Sequence, residues 1–351
     1  MTGLPASGNG NRAAVLYAPG DLRIEDRSRP SPGPREVVVE IGSVGVCGSD
    51  VHYYEHGRIG SFVVQAPLIL GHESMGVVVE LGAECSRHQV GDRVTLEPGV
   101  PCGRCTQCRH GRYNLCPDVR FFATPPVDGA FARYVSIHED FAYALPDALT
   151  DDQGALMEPL SVGLWACWKG AVGADTSVLV TGAGPIGQLA MQVALALGAT
   201  EVTVTDVNPH RLDVARRSGA SRTLNVAEEP LGEAGVQADV LLECSGHPAS
   251  LADGLSALNP AGVAVVVGMG PEEDATVPMA AIQSREITLT GTFRYANTYP
   301  AAIALAASGR VDLDAIVTGH FPLEQAEVAL RASREDSESI KPMVVPGDAS
   351  R

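Results

Sequence analysis

The fold class predicted for this chain is two-domain α/β, with one half built as a doubly wound parallel sheet. Three observations predict it. The chain has 351 residues, more than the roughly 250–300 at which a single core stops growing. From about residue 163 the sequence becomes an alternation of apolar strands and Ala-rich helices. Within that half, a strand run leads into Gly182-Ala183-Gly184-Pro185-Ile186-Gly187 and then into a helical run, the order that a nucleotide-binding turn requires.

Composition bounds the partners. Hydrophobic residues make up 45% of the chain, which suits a globular core, while 38 Gly and 24 Pro imply many tight turns. With 25 basic against 42 acidic residues the net charge is −17, which argues against nucleic acid or an anionic membrane as partner and favours a small molecule. Apolar stretches such as Val263 to Val267 and Ala301 to Ala307 fall far short of the ~20 residues of a membrane span. Met1 to Arg12 is polar and Gly-rich, without the apolar core of a secretory signal, so a cytoplasmic protein is expected.

The first chemistry-bearing residue is Cys47, in Gly45-Val46-Cys47-Gly48-Ser49-Asp50, where a turn of small residues would expose the sulfur. The next are His72 and Glu73 in Leu70-Gly71-His72-Glu73, where the apolar run Pro67 to Leu70 places His72 at the end of a strand-like segment. Glu158 follows in Met157-Glu158-Pro159-Leu160, a carboxylate among apolar residues whose charge would be costly unless paired or bound to metal. Thiolate, imidazole and carboxylate together can fill a zinc shell and leave one position for substrate. Taken singly, each of these residues is better explained by core packing or hydrogen bonding.

Eight cysteines are present, and four of them crowd one segment: Cys102, Cys105, Cys108 and Cys116, with two, two and seven residues between them. Four thiolates at these offsets can wrap one tetrahedral ion; local disulfides are the alternative. A closed thiolate shell has no position for substrate, so this zinc is expected to be structural.

In the second half, Ser177 to Val180 is predicted as a buried strand, Gln188 to Leu197 as a helix, and Glu201 to Thr205 as a strand ending at Asp206. Gly182, Gly184 and Gly187, with Pro185 and Ile186 between, let the backbone approach a pyrophosphate at a helix start. Asp206, 19 positions after Gly187, is placed to accept the ribose hydroxyls and to repel a 2′-phosphate, which favours NAD over NADP. Arg211 is expected to stack on or flank the adenine. Further strands are expected at Asp239 to Glu243, Val263 to Val267 and Glu286 to Thr290, with a helix from about Pro248 to Leu258. Val267-Gly268-Met269 and Thr292-Phe293-Arg294 end the later strands, so their backbone is expected at the nicotinamide end.

An open zinc site beside NAD implies oxidation of an alcohol by hydride transfer. Ser49 and His52 are spaced to relay the alcohol proton toward solvent; the alternatives are a turn hydroxyl for Ser49 and, nearly as well supported, a surface imidazole for His52.

These stretches, together with Gly57-Arg58-Ile59-Gly60, Glu158-Pro159-Leu160-Ser161-Val162-Gly163 and Phe293-Arg294-Tyr295-Ala296-Asn297-Thr298-Tyr299-Pro300, resemble the zinc-dependent medium-chain dehydrogenases, and among them the sorbitol dehydrogenases, over nearly the whole chain. The resemblance implies a mainly β, GroES-like catalytic domain from 1–160 and 300–351 and a Rossmann NAD-binding domain at 161–299. It implies that Cys47, His72 and Glu73 bind catalytic zinc, with Glu158 either a fourth ligand or the holder of a zinc-bound water. It also implies that Tyr53, Arg294 and Tyr295 line a polyol pocket together with Glu158, and that the chain is a homotetramer or a dimer. The expected activity is NAD-dependent oxidation of sorbitol, L-iditol or xylitol to the ketose. The alternatives are a dehydrogenase of another secondary alcohol, such as threonine or a butanediol, and a non-catalytic NAD-binding protein.

Overall fold

The computed structural model describes residues 10–270 and 274–347. The first nine residues, on which the expectation of no secretory signal largely rests, lie outside the described residues. Two compact units make up the chain: 1–103, 116–158 and 318–351 form the first, and 104–115 with 159–317 the second.

The first unit is built on a seven-stranded sheet whose central strand is Glu36–Gly45. Its composition explains that position. Val37, Val38, Val39, Ile41 and Val44 are all buried, so both faces of the strand are covered. Glu73–Leu81 pairs antiparallel on one side of it and Lys341–Val345 antiparallel on the other. Three strand ends from distant parts of the chain therefore meet at Gly45, which lies opposite Glu73 and Met343. Gly10–Ala18, Asp21–Ser28 and Leu68–Ile69 form a second, three-stranded sheet. One apolar cluster, including Leu16, Ile41, Leu70, Leu96, Phe131 and Leu330, fills this unit.

Two of the sequence expectations shift here. Cys47 does not sit in an open turn; it is the residue that precedes the helix Gly48–His56, which ends at Gly57 in the left-handed conformation (φ 67°). The helix is held by Tyr54, whose hydroxyl donates to Glu327 at 2.6 Å, and by the Arg334–Glu55 ion pair at 2.5 Å. Burial and the Glu327 carboxylate push the Tyr54 hydroxyl up to about 12, so it stays a donor at all ordinary pH. His72, for its part, does not end a strand. It lies between the short strand Leu68–Ile69 and the long strand that begins at Glu73, because Gly71 (φ 85°) turns the backbone directly before it.

The second unit carries a six-stranded parallel sheet in the order Arg222–Asn225, Glu201–Asp206, Ser177–Thr181, Ala238–Glu243, Leu258–Val266, Thr288–Gly291. This is the doubly wound order, with the first strand at the centre and the chain reversing beside it. The helix after the glycine turn runs Pro185–Ala196, three residues longer at its start than expected, because Pro185 has the preset φ of a first helical residue. The expected helix Pro248 to Leu258 stops at Ser256, and Leu258 already begins the next strand. The last strand starts at Thr288 and not at Glu286, whose positive φ of 51° places it in a turn.

Contacts carry this unit beyond the expected 161–299. The Gln192 side chain donates to Asp312 O at 3.0 Å and accepts from Asp312 N at 2.6 Å, while Arg310 donates to Ala196 O at 3.0 Å. These bonds tie 310–312 to the helix Pro185–Ala196.

A buried carboxylate pins the edge of the first unit. Glu139 accepts from the backbone N–H groups of Ser86 and Arg87 at 2.8 and 2.9 Å and from Arg35 at 3.0 Å. The Ser86 amide, then the Arg87 amide and the Arg35 guanidinium, overcome burial and hold Glu139 down to about 2. A depressed carboxylate stabilises above its unfolded value of ~4.3 and loses that contribution as pH falls through the folded value. We therefore expect Glu139→Gln to lower the thermal midpoint at pH 7 by on the order of a few °C. The difference from the parent should shrink as melting is repeated between pH ~4.3 and about 2.

Candidate functional site

The meeting of three strand ends at Gly45 creates the first site. The ligand atoms of Cys47, His72 and Glu73 all lie within 4.8 Å of one another. Zinc bonds of ~2.0–2.3 Å put neighbouring ligands under 4.6 Å apart, so the three donors fit one ion, and their sulfur, imidazole and carboxylate chemistry suits zinc. Glu73 is fully buried, His72 nearly so, and Cys47 half-buried. Glycine at position 45 is a steric requirement: a Cβ there would stand 2.1 Å from Glu73 Oε2.

Two residues without an assigned role in the sequence reading complete the arrangement. Asp50, fully buried, accepts from the Cys47 and Gly71 backbone N–H groups at 3.1 and 2.8 Å and faces His72 Nδ1 at 3.7 Å. It thereby joins the backbone at Cys47 to the turn before His72 and orients the ring. Its spacing three residues after Cys47 on a helix start was the only available signal. Lys341 comes from the far end of the chain. Its Nζ donates to Glu73 Oε1 and Oε2 at 2.8 and 2.7 Å and to Val46 O at 2.9 Å. Nothing local in the sequence marks it, since the partners are 268 positions apart.

The electrostatics follow from this packing. Burial disfavours the charged form of Lys341, but Glu73 above all, then Cys47 and Glu158, more than offset it and hold the ammonium above the ordinary lysine value. Burial likewise opposes a charged His72, and Cys47 and Asp50 prevail, raising it well above the usual imidazole value. Negative donors thus gather positive charge at this site, the arrangement a dication would satisfy.

Glu158 stands apart from the tight trio. It lies in the first turn of Met157–Lys169, is 5% exposed, and acts on Lys341 through its charge. Ser49, His52 and Tyr53 lie on the helix that follows Cys47. Tyr53 is buried, and His52 Nδ1 is buried with no hydrogen-bond partner among the described residues. The His52 and His56 rings lie 4.7 Å apart, and His56 is exposed.

The cysteine cluster also closes. The sulfurs of Cys102, Cys105, Cys108 and Cys116 lie within 4.8 Å of one another, and all eight cysteines are free of disulfides. Cys105 Sγ accepts from Cys108 N at 3.4 Å and Cys116 Sγ from Cys102 N at 3.4 Å. Amide-to-sulfur bonds of this kind stabilise thiolates, so four-thiolate ligation fits the loop.

In the second unit, the glycine turn has the form a diphosphate requires. A Cβ on Gly187 would fall 1.8 Å from Gly182 O, so close helix–strand packing demands glycine. At Gly184, the residue preceding the helix, a Cβ would meet nothing within 4 Å, and no side chain caps the first amides. Those donors are left for an anion. Asp206 ends its strand as expected, but its carboxylate already accepts three backbone amides: Ala183 at 2.6 Å on Oδ2, and Val207 and Asn208 at 2.8 Å on Oδ1. With about two lone pairs per oxygen, Oδ2 retains one site for a hydroxyl. Arg211 Nε is buried without a hydrogen-bond partner.

The ends of the later strands are also on this face. Val267 and Gly268 both donate to Glu243 O at 2.8 Å, and Met269 is 71% exposed. Thr292 donates to Val266 O at 2.9 Å; Phe293 is exposed, with the Arg294 guanidinium stacked 4.8 Å from its ring centroid. Tyr295 is buried, 5.9 Å from the Tyr299 ring.

Comparison with known proteins places this geometry. Residues 33–147 match the model of the alcohol dehydrogenase GroES-like domain, and residues 185–308 that of the zinc-binding dehydrogenases. Sorbitol dehydrogenase of Mus musculus is 44% identical over 339 residues, covering 94% of each chain. Sorbitol dehydrogenase of Bacillus subtilis (strain 168) is 41% identical over 344 residues, 95% of this chain and 97% of its own. Among solved structures, an oxidoreductase/dehydrogenase of unknown specificity from Escherichia coli superposes with a TM-score of 0.92 at 35% identity, over 97% of this chain and 100% of that one.

The buried pair at the metal centre has a measurable consequence. Lys341→Met leaves Glu73 uncompensated, and breaking a buried pair costs about 3–5 kcal/mol. We expect that loss in denaturant unfolding of metal-free protein and a smaller one with zinc present, because a dication supplies the missing positive charge. Equal losses in both states would show that zinc does not reach Glu73.

Proposed function

The chain belongs to the zinc-binding dehydrogenases with a GroES-like alcohol dehydrogenase domain, and from that premise we propose that it oxidises a polyol such as sorbitol, L-iditol or xylitol to the ketose with reduction of NAD. The observation that carries this reading is the Cys47–His72–Glu73 trio, a donor set that fits zinc and groups three ligand side chains among the described residues. Zinc held there supplies Lewis acidity to an alcohol oxygen.

The chain's own residues supply the rest. Asp50 keeps the His72 ring oriented, and Lys341 holds the Glu73 carboxylate in place. Glu158, in the same unit, is suited either to the fourth metal position or to a water there. Oxidation of the alcohol sends a hydride to the nicotinamide and releases one proton. Ser49 and His52 are proposed to carry it. The unpartnered Nδ1 of His52 and the exposed His56 ring 4.7 Å away support that route. Tyr53, Arg294 and Tyr295 are proposed to hold the polyol hydroxyls, because a multi-hydroxyl chain rewards several fixed donors.

For the cofactor, the glycine turn and Gly184 are proposed to bind the pyrophosphate, with Asp206 on the adenosine ribose and Arg211 beside the adenine. The backbone at 267–269 and 292–294 is assigned to the nicotinamide end. Because Asp206 carries a negative charge with one acceptor site left, a 2′-phosphate would be repelled. The cysteine cluster is proposed as a second, structural zinc site, and the reading carries a homotetramer with it.

Steady-state kinetics on a panel of sorbitol, xylitol, threonine and butanediol tests the substrate class. The best kcat/KM is expected with a polyol and NAD; best turnover with threonine would overturn the reading, and a preference for NADP would overturn the assignment of Asp206. Metal analysis is expected to return two zinc ions per chain. Cys47→Ser should abolish turnover, lose one zinc and leave NADH binding, measured by fluorescence titration, largely intact.

A further inference from the structure

The polyol-binding segment proposed above is not self-supporting. Arg294 and Asn297 both have left-handed backbones, at φ 53° and 60°, a region that few non-Gly residues enter unless their surroundings impose it. Between them, Tyr295 and Ala296 are buried. The segment therefore makes two left-handed turns within four residues, and something outside it must hold that shape.

The holder is the middle of the cysteine-rich loop, residues 104–115, which groups with the second unit. Asn114 Nδ2 donates to Phe293 O at 2.8 Å. Asn297 N donates to the Tyr113 hydroxyl at 2.7 Å, and Asn297 Nδ2 donates to Gly111 O at 2.9 Å. The two ends of the Phe293–Asn297 segment are thus each bonded to the loop, one directly before left-handed Arg294 and the other at left-handed Asn297 itself. Asn114 is 6% exposed, so its bond is made away from competing water.

We infer that Tyr113 and Asn114 are positioning residues for the substrate: they clamp Phe293–Asn297 so that Arg294 and Tyr295 present a fixed set of donors to the polyol. The loop that the cysteines shape is on this account a specificity element as well as a staple. The inference rests on the proposed role of Arg294 and Tyr295 at the polyol.

Tyr113→Phe removes one acceptor and little volume, and Asn114→Ala removes the other anchor. Each is made in the zinc-loaded full chain alongside Arg294→Met, and two readouts are taken. The first is the kcat and KM for the best polyol of the panel, with NADH affinity and thermal midpoint measured beside them. The second is amide hydrogen exchange of the peptide spanning 291–298.

Both loop variants are expected to raise KM about tenfold or more, the scale on which small misplacements act, with kcat within about threefold and NADH binding unchanged. Exchange in 291–298 should accelerate, most at the Asn297 amide in Tyr113→Phe. Unchanged exchange in both variants overturns the clamp, whatever the kinetics. Accelerated exchange with unchanged KM, while Arg294→Met raises KM, overturns the claim that the clamp positions substrate. If Arg294→Met itself leaves KM unaltered, the polyol role of that segment fails and the positioning claim falls with it, the clamp then being judged on exchange alone. Should Asn114→Ala unfold, Tyr113→Phe decides the matter.

Discussion

Everything in the first unit converges on the ion pair between Lys341 and Glu73. A lysine ammonium and a glutamate carboxylate, both essentially excluded from water, are stable together only because the ammonium reaches both carboxylate oxygens and a third acceptor, Val46 O. That geometry exists because Glu36–Gly45 takes Glu73–Leu81 on one side and Lys341–Val345 on the other in a register that puts Glu73 over Gly45. A slip of one residue in either pairing would turn Glu73 or Lys341 to the opposite face of the sheet. The pair therefore reports on the register, and the register brings Glu73 beside Cys47 and His72.

The same constraint explains the chemistry of the trio. A carboxylate bonded through both oxygens by Lys341, an imidazole faced by Asp50 and a half-buried sulfur form a cluster of metal-ligand side chains enclosed by apolar strands. Cys47, His72 and Glu73 would hold a dication there, and its charge would polarise an oxygen bound beside it. In the second unit the corresponding constraint is Asp206, whose three backbone acceptances bind the glycine turn to the end of the neighbouring strand. Its carboxylate holds the turn in shape, so its replacement would be felt by the turn itself.

Much of this was legible from the sequence because it is written locally. The glycine turn, its flanking strands and the acid 19 positions on form one βαβ unit whose periodicity and turn residues lie within 30 residues. The cysteine cluster is likewise local. Cys47, His72 and Glu73 were individually ambiguous and became persuasive only in company with the nucleotide unit and the family resemblance. What was misjudged were boundaries decided by single residues: Pro185 opening a helix early, Glu286 in a left-handed turn, and Cys47 at a helix start in place of an open turn.

By itself, then, the sequence determined the two-domain α/β class, the doubly wound half, and the residue types able to bind zinc and a dinucleotide, since each depends on short-range pattern. Only the tertiary structure decided which of these donors share a site and what supports them. Asp50 and Lys341 at the metal trio, and Tyr113 and Asn114 beneath the Phe293–Asn297 segment, act across strand pairings and loop contacts spanning up to 295 positions. No local periodicity encodes such contacts, because strand register and loop packing are settled by burial across the whole unit.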